Sequence, residues 1–174
     1  MDLKERIITR RATRKYKKDE KMDMEVLKEL LMYASMGPSK ANAHPVEFLL
    51  VEDEEKKKAL AGLKKFGTAF LTEAPQILLI LGDTEIDLTW VEEASISAAY
   101  LGLLLEEEGF SSTWVNIRGQ KSADGQDAED MVRELFNIPA KYGVLALIPF
   151  GIKDERTKTR KPFEIDEKLH IEEF

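Results

Sequence analysis

The sequence predicts one α+β domain in which helices flank a small sheet of about four strands. Short aliphatic and aromatic runs alternate along the chain with segments of helical periodicity, which is typical of α/β and α+β folds. The chain has 174 residues, enough for a substantial core, and we find no repeat, linker or low-complexity segment that divides it. We therefore treat residues 1–174 as one domain whose last part, residues 153–174, is an extended C-terminal tail.

The first part of the chain predicts two helices and a strand. Residues 3–8 have the spacing of a short amphipathic helix. Asp23 is the predicted N-cap of a second helix, because aspartate accepts hydrogen bonds from the free backbone N–H groups of a first turn. Gly37 and Pro38 end this helix. Residues 46–51 then predict a strand.

The remaining elements follow from the same periodicities. The longest helical pattern covers residues 88–108, and its middle, residues 94–105, is so poor in charge that we expect it to be buried nearly all round. The others are a charged helix over 53–63, a helical turn over 66–72, a buried strand over 77–81, a strand over 111–117, a helix over 127–136 and a last strand over 142–150.

The composition restricts the class of function. The formal net charge of −7 disfavours a general nucleic-acid binder. The chain has no cysteine, and its two histidines, His44 and His170, lack the spacing of a zinc enzyme, so we predict no metal site. Residues 1–18 lack the apolar core of a secretory signal, and no apolar run approaches the roughly 20 residues of a membrane helix. We expect a cytoplasmic protein without membrane contact.

Basic residues gather at two places in this acidic chain. Near the N-terminus, Arg10, Arg11, Arg14 and Lys15 fall within six residues. Like charges repel, so such a group is favoured by an anion among its members, and arginine grips phosphate with a planar fork of donors. A solvated run that complements the dipole of the preceding helix is the other interpretation. The second pair, Lys158 and Arg160, is equally compatible with a solvated tail.

The loop between the second helix and the first strand is built of turn-forming and small polar residues. It contains Pro38, Ser39 and Asn42 and ends at Pro45. Turn chemistry alone explains these residue types. Asn42 can also donate and accept hydrogen bonds, which suits ligand hydroxyl or carbonyl groups.

The order and spacing of these motifs resemble the FMN-dependent nitroreductase family in its short, single-domain form. The motifs are RR-x-x-R at 10–14, PS-x-x-N-x-x-P at 38–45, GFSSTWVN at 109–116 and K-x-R at 158–160. The resemblance implies a central mixed or antiparallel sheet flanked by helices, a long buried central helix, and an intertwined homodimer with FMN in its interface.

The resemblance also implies roles for particular residues. Arg10 and Arg11 match positions that hold the phosphate and the polar edge of the flavin, and Arg14 matches a basic position beside them. Ala12 stands where the family often has serine. The other matching positions are the loop that reaches FMN from the partner chain (Pro38, Ser39, Asn42), the strand that passes near the flavin ring (Ser111, Ser112, Trp114) and the tail pair that returns to the phosphate (Lys158, Arg160).

Two residues carry a structural interpretation beside the functional one. His44 replaces a common glutamine, and we interpret it as a satisfied loop histidine. We expect Trp114 to belong to the core first and to neighbour the flavin second.

The long helix allows two interpretations. Its small residues are Ala94, Ser97, Ala98 and Gly102, and such a face lets two helices approach closely. It could meet the same helix of a partner chain, or it could lie on a sheet within its own chain. The resemblance favours the partner chain.

The resulting hypothesis is an oxidoreductase that passes hydride from NAD(P)H through N5 of FMN to an electron-poor acceptor, a nitroaromatic or a quinone, by a ping-pong scheme. No side chain is assigned as catalytic, because the cofactor carries the reaction. Two alternatives stay open. One is a flavoenzyme of the same fold with different chemistry, a dehalogenase or a dehydrogenase. The other is a non-catalytic module that binds flavin or another nucleotide.

Overall fold

An antiparallel sheet of five strands lies at the centre of the computed structural model, which describes residues 2–158 and 160–174. The neighbour order is β1-β2-β5-β3, and β4 also pairs with β5. This arrangement confirms the predicted α+β class, and the strand predicted over 111–117 is divided into two short strands. The strands are β1 (Val46–Val51), β2 (Gln76–Asp83), β3 (Ser111–Ser112), β4 (Val115–Asn116) and β5 (Tyr142–Gly151).

Five α-helices surround this sheet in the described part of the chain. Aspartate caps the N-terminus of four of them, including Asp23, whose carboxylate accepts from the backbone N–H groups of Glu25 and Val26. The helices are α1 (Leu3–Thr9), α2 (Met24–Ala34), α3 (Glu54–Ala61), α4 (Trp90–Glu107) and α5 (Ala128–Phe136); short 3₁₀ turns cover Lys40–Asn42, Ala69–Glu73 and Asp166–Lys168. No helix within the described ranges is long and apolar enough to cross a membrane.

The two faces of the sheet carry separate hydrophobic cores. Successive residues of a strand point to opposite faces. Accordingly, Ile77 and Leu79 of β2 belong to the core that includes α3 and α5, whereas Leu78 and Ile80 belong to the core under α2 and α4. Every residue of β2 is buried, which explains why this strand is a continuous apolar run rather than an alternating one.

Helix α4 lies on the sheet with its small residues inward. Ala94, Ser97, Ala98 and Gly102 are buried within the chain, and a Cβ at Gly102 would lie 3.8 Å from Ser112 Oγ. The prediction that this face meets a partner chain is therefore wrong. Within a single chain, the opposite face of α4 is open to solvent, and 44% of Tyr100 is exposed.

Candidate functional site

The segment after α1 runs beside the start of the C-terminal tail. Tyr16 and Lys153 form an isolated antiparallel bridge. On either side of it, Lys17 N donates to Ile152 O at 2.9 Å, and Asp154 N donates to Lys15 O at 2.9 Å. The backbone therefore brings the two basic segments of the sequence to the same part of the molecule.

A carboxylate ties the two segments together. Glu155 Oε1 accepts from the backbone N–H groups of Arg14, at 2.6 Å, and of Lys15, at 3.3 Å. The guanidinium of Arg14 lies over the ring of Phe70, with its central carbon 5.7 Å from the ring centroid. Arg14 thus takes part in the junction through its backbone, while its side chain contacts an aromatic ring.

Buried hydroxyl groups fix this junction to the sheet. The carbonyl of Thr13 accepts from the hydroxyl of Tyr16 and from Thr113 Oγ1, and Thr13 N donates to Ser112 O at 3.3 Å. Burial raises the pKa of the Tyr16 hydroxyl well above its ordinary value. This network has no local sequence pattern, because its hydrogen bonds join Thr13 to Thr113, 100 residues later in the chain.

Arg11 joins the N-terminal segment to the tail. Its Nε donates to the backbone carbonyl of Lys158 at 2.7 Å, and its Nη1 donates to the carbonyl of Arg10 at 2.5 Å. The remaining nitrogen, Nη2, is buried and has no hydrogen-bond partner among residues 2–158 and 160–174. A buried donor without a partner is rare, and here it is part of a cation.

Charge accumulates around Arg11. Burial, and then the positive charges of Arg160 and Arg10, lower the pKa of the Arg11 guanidinium below its ordinary value. Two of these cations come from one end of the sequence and the third from the other end. Such a cluster is suited to an anion that accepts hydrogen bonds from several guanidinium groups.

A cleft of about 290 Å³ opens beside this cluster. Arg10, Ser112 and Trp114 line it on one side and α4 lines it on the other, with Gly102 among the α4 residues. Trp114 is 43% exposed, so the prediction that it belongs first to the core is wrong. Ser111 is buried and pairs with Gly151 on β5, and Ala12 is exposed next to Arg11.

The loop with Pro38, Ser39 and Asn42 contacts a different stretch of α4. Lys40 N donates to Glu93 Oε1 at 2.9 Å, and a Cβ at Gly37 would lie 2.7 Å from Ile96 Cγ2. The α4 residues that line the cleft begin at Ala98. Within one chain, the structure thus brings together the N-terminal and C-terminal basic residues, whereas this loop contacts α4 closer to its N-terminus.

The backbone of the same loop is strained. Ala41, Asn42 and His44 have φ values of 51°, 60° and 48°, in the left-handed region that residues with a Cβ rarely occupy. Strain of this kind is concentrated at functional sites, where surrounding contacts hold it in place. Here Ser39 Oγ accepts from His44 N at 2.8 Å.

The chain is thus an α+β protein with an antiparallel sheet under one long helix, and its cleft lies beside the arginines of the two terminal segments. The model of the nitroreductase family matches residues 7–66. The chain is 34% identical to an FMN-dependent nitroreductase from Clostridium difficile R20291, with a TM-score of 0.90 and coverage of 97% of this chain and 98% of that one. The chain belongs to the nitroreductase family.

Two curated relatives are named for different reactions. One is an iodotyrosine deiodinase from Thermotoga neapolitana, 28% identical over 84% of this chain and 86% of the relative. The other is an NADH dehydrogenase from Thermus thermophilus, 34% identical over 53% of this chain and 44% of the relative.

Proposed function

We propose that this chain binds FMN and acts in the cytoplasm as an NAD(P)H-dependent oxidoreductase with an electron-poor organic acceptor. The observation that carries the proposal is the Arg11 guanidinium, which has a buried, unpartnered Nη2 within the described chain and lies near Arg10 and Arg160. A phosphate group with about two negative charges would supply the missing acceptor and offset the repulsion among the three cations.

The cleft residues divide into two proposed roles. Arg10, Arg11, Lys158 and Arg160 hold the phosphate, and the polar edge of the ring system also lies near Arg10. Ser112 and Trp114 contact the ring along the wall of the cleft, above the buried Ser111. When bound, FMN supplies the hydride-accepting and hydride-donating chemistry.

Three further positions have supporting roles in this proposal. Arg14 keeps the N-terminal segment in place beside Phe70. Ala12 offers no hydroxyl donor, so the phosphate relies on the arginines. Cations near the ring favour the reduced cofactor, because negative charge builds up there on reduction.

A second copy of the chain completes the proposed site. The described residues that line the cleft include none of Pro38, Ser39 and Asn42, so we assign this loop to the cleft of a partner. Exposed apolar surface supports a homodimer: Leu3 is 59% exposed and Tyr100 44% exposed beside a groove of about 510 Å³. In the tail, Phe163 and Ile171 are 65% and 79% exposed. Association covers surface of this kind.

Reductive dehalogenation is a second candidate for the same site. The deiodinase relative over most of the chain favours it. Both candidates use the same cofactor site and differ in the molecule that accepts the electrons.

Anaerobic stopped-flow absorbance of the FMN-loaded protein tests the proposal. We expect NADH or NADPH to bleach the flavin band, and p-nitrobenzoate or menadione to restore it. Reoxidation by 3-iodotyrosine with release of iodide, and by neither of the other acceptors, supports the dehalogenase instead. A flavin that is bound but reduced by neither nucleotide indicates a binding module and contradicts the enzymatic proposal, whereas failure to bind FMN contradicts the proposal as a whole.

A further inference from the structure

We propose that His44 is a positioning residue, which fixes the side-chain amide of Asn42 so that this amide presents N–H donors to the cofactor. The inference rests on the proposed function, because it assigns Asn42 to an FMN site shared by two copies of the chain. It gives His44 a role beyond that of a satisfied loop histidine.

The backbone places the two side chains close together. Asn42 and His44 both have left-handed φ values, 60° and 48°, and Ala43 is between them. His44 Nε2 lies 2.9 Å from Asn42 Oδ1. The backbone N–H of His44 is held separately by Ser39 Oγ at 2.8 Å, so the ring and the backbone of His44 act on different partners.

Contacts with α4 and with the segment before it also hold the loop in place. Glu93 is 6% exposed on α4, and its Oε1 accepts from Lys40 N at 2.9 Å. Lys40 Nζ lies 3.4 Å from Asp87 Oδ1, a carboxylate that also accepts from Thr89. The loop conformation therefore has support that does not involve the His44 ring. The His44 ring therefore influences the side-chain orientation of Asn42 and not the backbone conformation of the loop.

The direction of the hydrogen bond is set by the tautomer of His44 that carries a proton on Nε2, which faces Asn42 Oδ1. An amide oxygen can only accept, so the nitrogen that faces it must carry the proton. With Oδ1 engaged by His44, the two hydrogens of Asn42 Nδ2 are left for a ligand. Both residues are exposed, so a second chain or a ligand can reach these donors.

A donor at this position matches the ligand. Beside its N3–H donor, the polar edge of a flavin ring offers two carbonyl oxygens and N1 as acceptors, which accept hydrogen bonds more strongly as negative charge builds up on reduction. If the amide were rotated by half a turn, Asn42 Oδ1 would face these acceptors and repel them. The His44 donor thus selects the productive orientation.

The test is an FMN titration by fluorescence quenching with a set of matched variants. His44→Phe keeps a ring and removes the donor, and His44→Gln keeps a donor of similar reach. We expect H44F to weaken FMN binding about 5- to 10-fold, the effect of losing one well-oriented hydrogen bond. H44Q should bind within about twofold of the wild type. Thermal midpoints of the three apo proteins check that the fold is unchanged.

A double-mutant cycle separates this role from loop packing. Asn42→Ala removes the amide at a position next to Ala41, which already has a left-handed φ. The proposal requires that H44F cause no further loss of FMN affinity in the N42A background. Additive effects, or equal losses in H44F and H44Q, overturn it.

Arg11→Ala in the same titration distinguishes this inference from the proposed function. If the wild type binds FMN, R11A weakens binding and H44F does not, the role of His44 is wrong and the proposed function stands. If the wild type does not bind FMN, both proposals fail.

Discussion

Arg11 Nε donates a 2.7 Å hydrogen bond to the backbone carbonyl of Lys158, which lies 147 residues later in the sequence. This contact links the segment after α1 to the C-terminal tail. It also places the Arg11 guanidinium where burial, and then the charges of Arg160 and Arg10, lower its pKa.

Replacing Arg160 with glutamine should weaken FMN binding without loss of stability. The positive charge of Arg160 disfavours the charged form of Arg11 in the free protein, so its removal relieves repulsion there. The same change removes a phosphate donor, and we expect the Kd for FMN to rise about 5- to 10-fold at low salt. Arg156→Gln makes the same charge change earlier in the tail. Equal effects of the two variants on FMN affinity would argue against a specific role for Arg160.

Glu155→Ala should release the tail from the N-terminal segment. The carboxylate accepts from two backbone N–H groups, those of Arg14 and Lys15, and alanine accepts from neither. We expect faster trypsin cleavage after the basic residues of the tail, together with weaker FMN binding. Glu155→Gln retains an acceptor oxygen and should be cleaved at nearly the wild-type rate. Mass spectrometry of the fragments gives the comparison, and identical cleavage of the alanine and glutamine variants would disprove the anchoring role.

Tyr16 should make stability depend on alkaline pH. Burial raises the pKa of its hydroxyl in the folded state, so its contribution is fully present below the unfolded pKa of about 10 and is lost as the pH rises above that value. At pH 8 we expect Tyr16→Phe to lower the free energy of unfolding by about 1 kcal/mol, because it removes a buried hydrogen bond. Urea denaturation from pH 8 to 11 should show that the free energies of unfolding of the wild type and Tyr16→Phe become more similar as the pH rises. A difference that stays constant over this range contradicts the assignment.

Ile7→Glu should separate the proposed dimer. Ile7 is 54% exposed on α1, so a charge there adds little strain to one chain but opposes burial against a second chain. We expect analytical ultracentrifugation to show a dimer for the wild type and a monomer for I7E, with loss of FMN binding in the monomer. Lys4→Glu, on the same helix, controls for added negative charge and should remain dimeric. A wild type that is monomeric with FMN bound contradicts the shared site.

Much of the architecture is readable from local patterns. The Asp23 cap and the apolar run of β2 are local signals, and the structure confirms both elements. The proximity of Arg11 and Arg160 is different, because only the family resemblance implied it, and the charge pattern by itself indicated no more than a nearby anion. In the structure, the bridge between Tyr16 and Lys153 brings the N-terminal segment and the C-terminal tail together.

The errors have a common physical origin. A stripe of small residues on α4 indicates close packing but does not identify the partner, and Gly102 packs beside Ser112 of the same chain. An aromatic residue near a strand suggests a core position, yet Trp114 lies between β3 and β4, where it faces the cleft. The contacts of Glu155 depend on tertiary structure, and the contact of His44 with Asn42 depends on left-handed backbone angles. Neither feature has a signature in one sequence.

Binding of the FMN phosphate by the arginine cluster can be tested by comparing the affinities of FMN and riboflavin. The two ligands share the ring and the ribityl chain and differ in the phosphate. The account predicts that the wild type binds FMN at least about 100-fold more tightly than riboflavin, because several charge-assisted hydrogen bonds are lost with the phosphate. This ratio should fall steeply in Arg11→Ala. Equal affinities of the wild type for both ligands, or a ratio that R11A leaves unchanged, would contradict it.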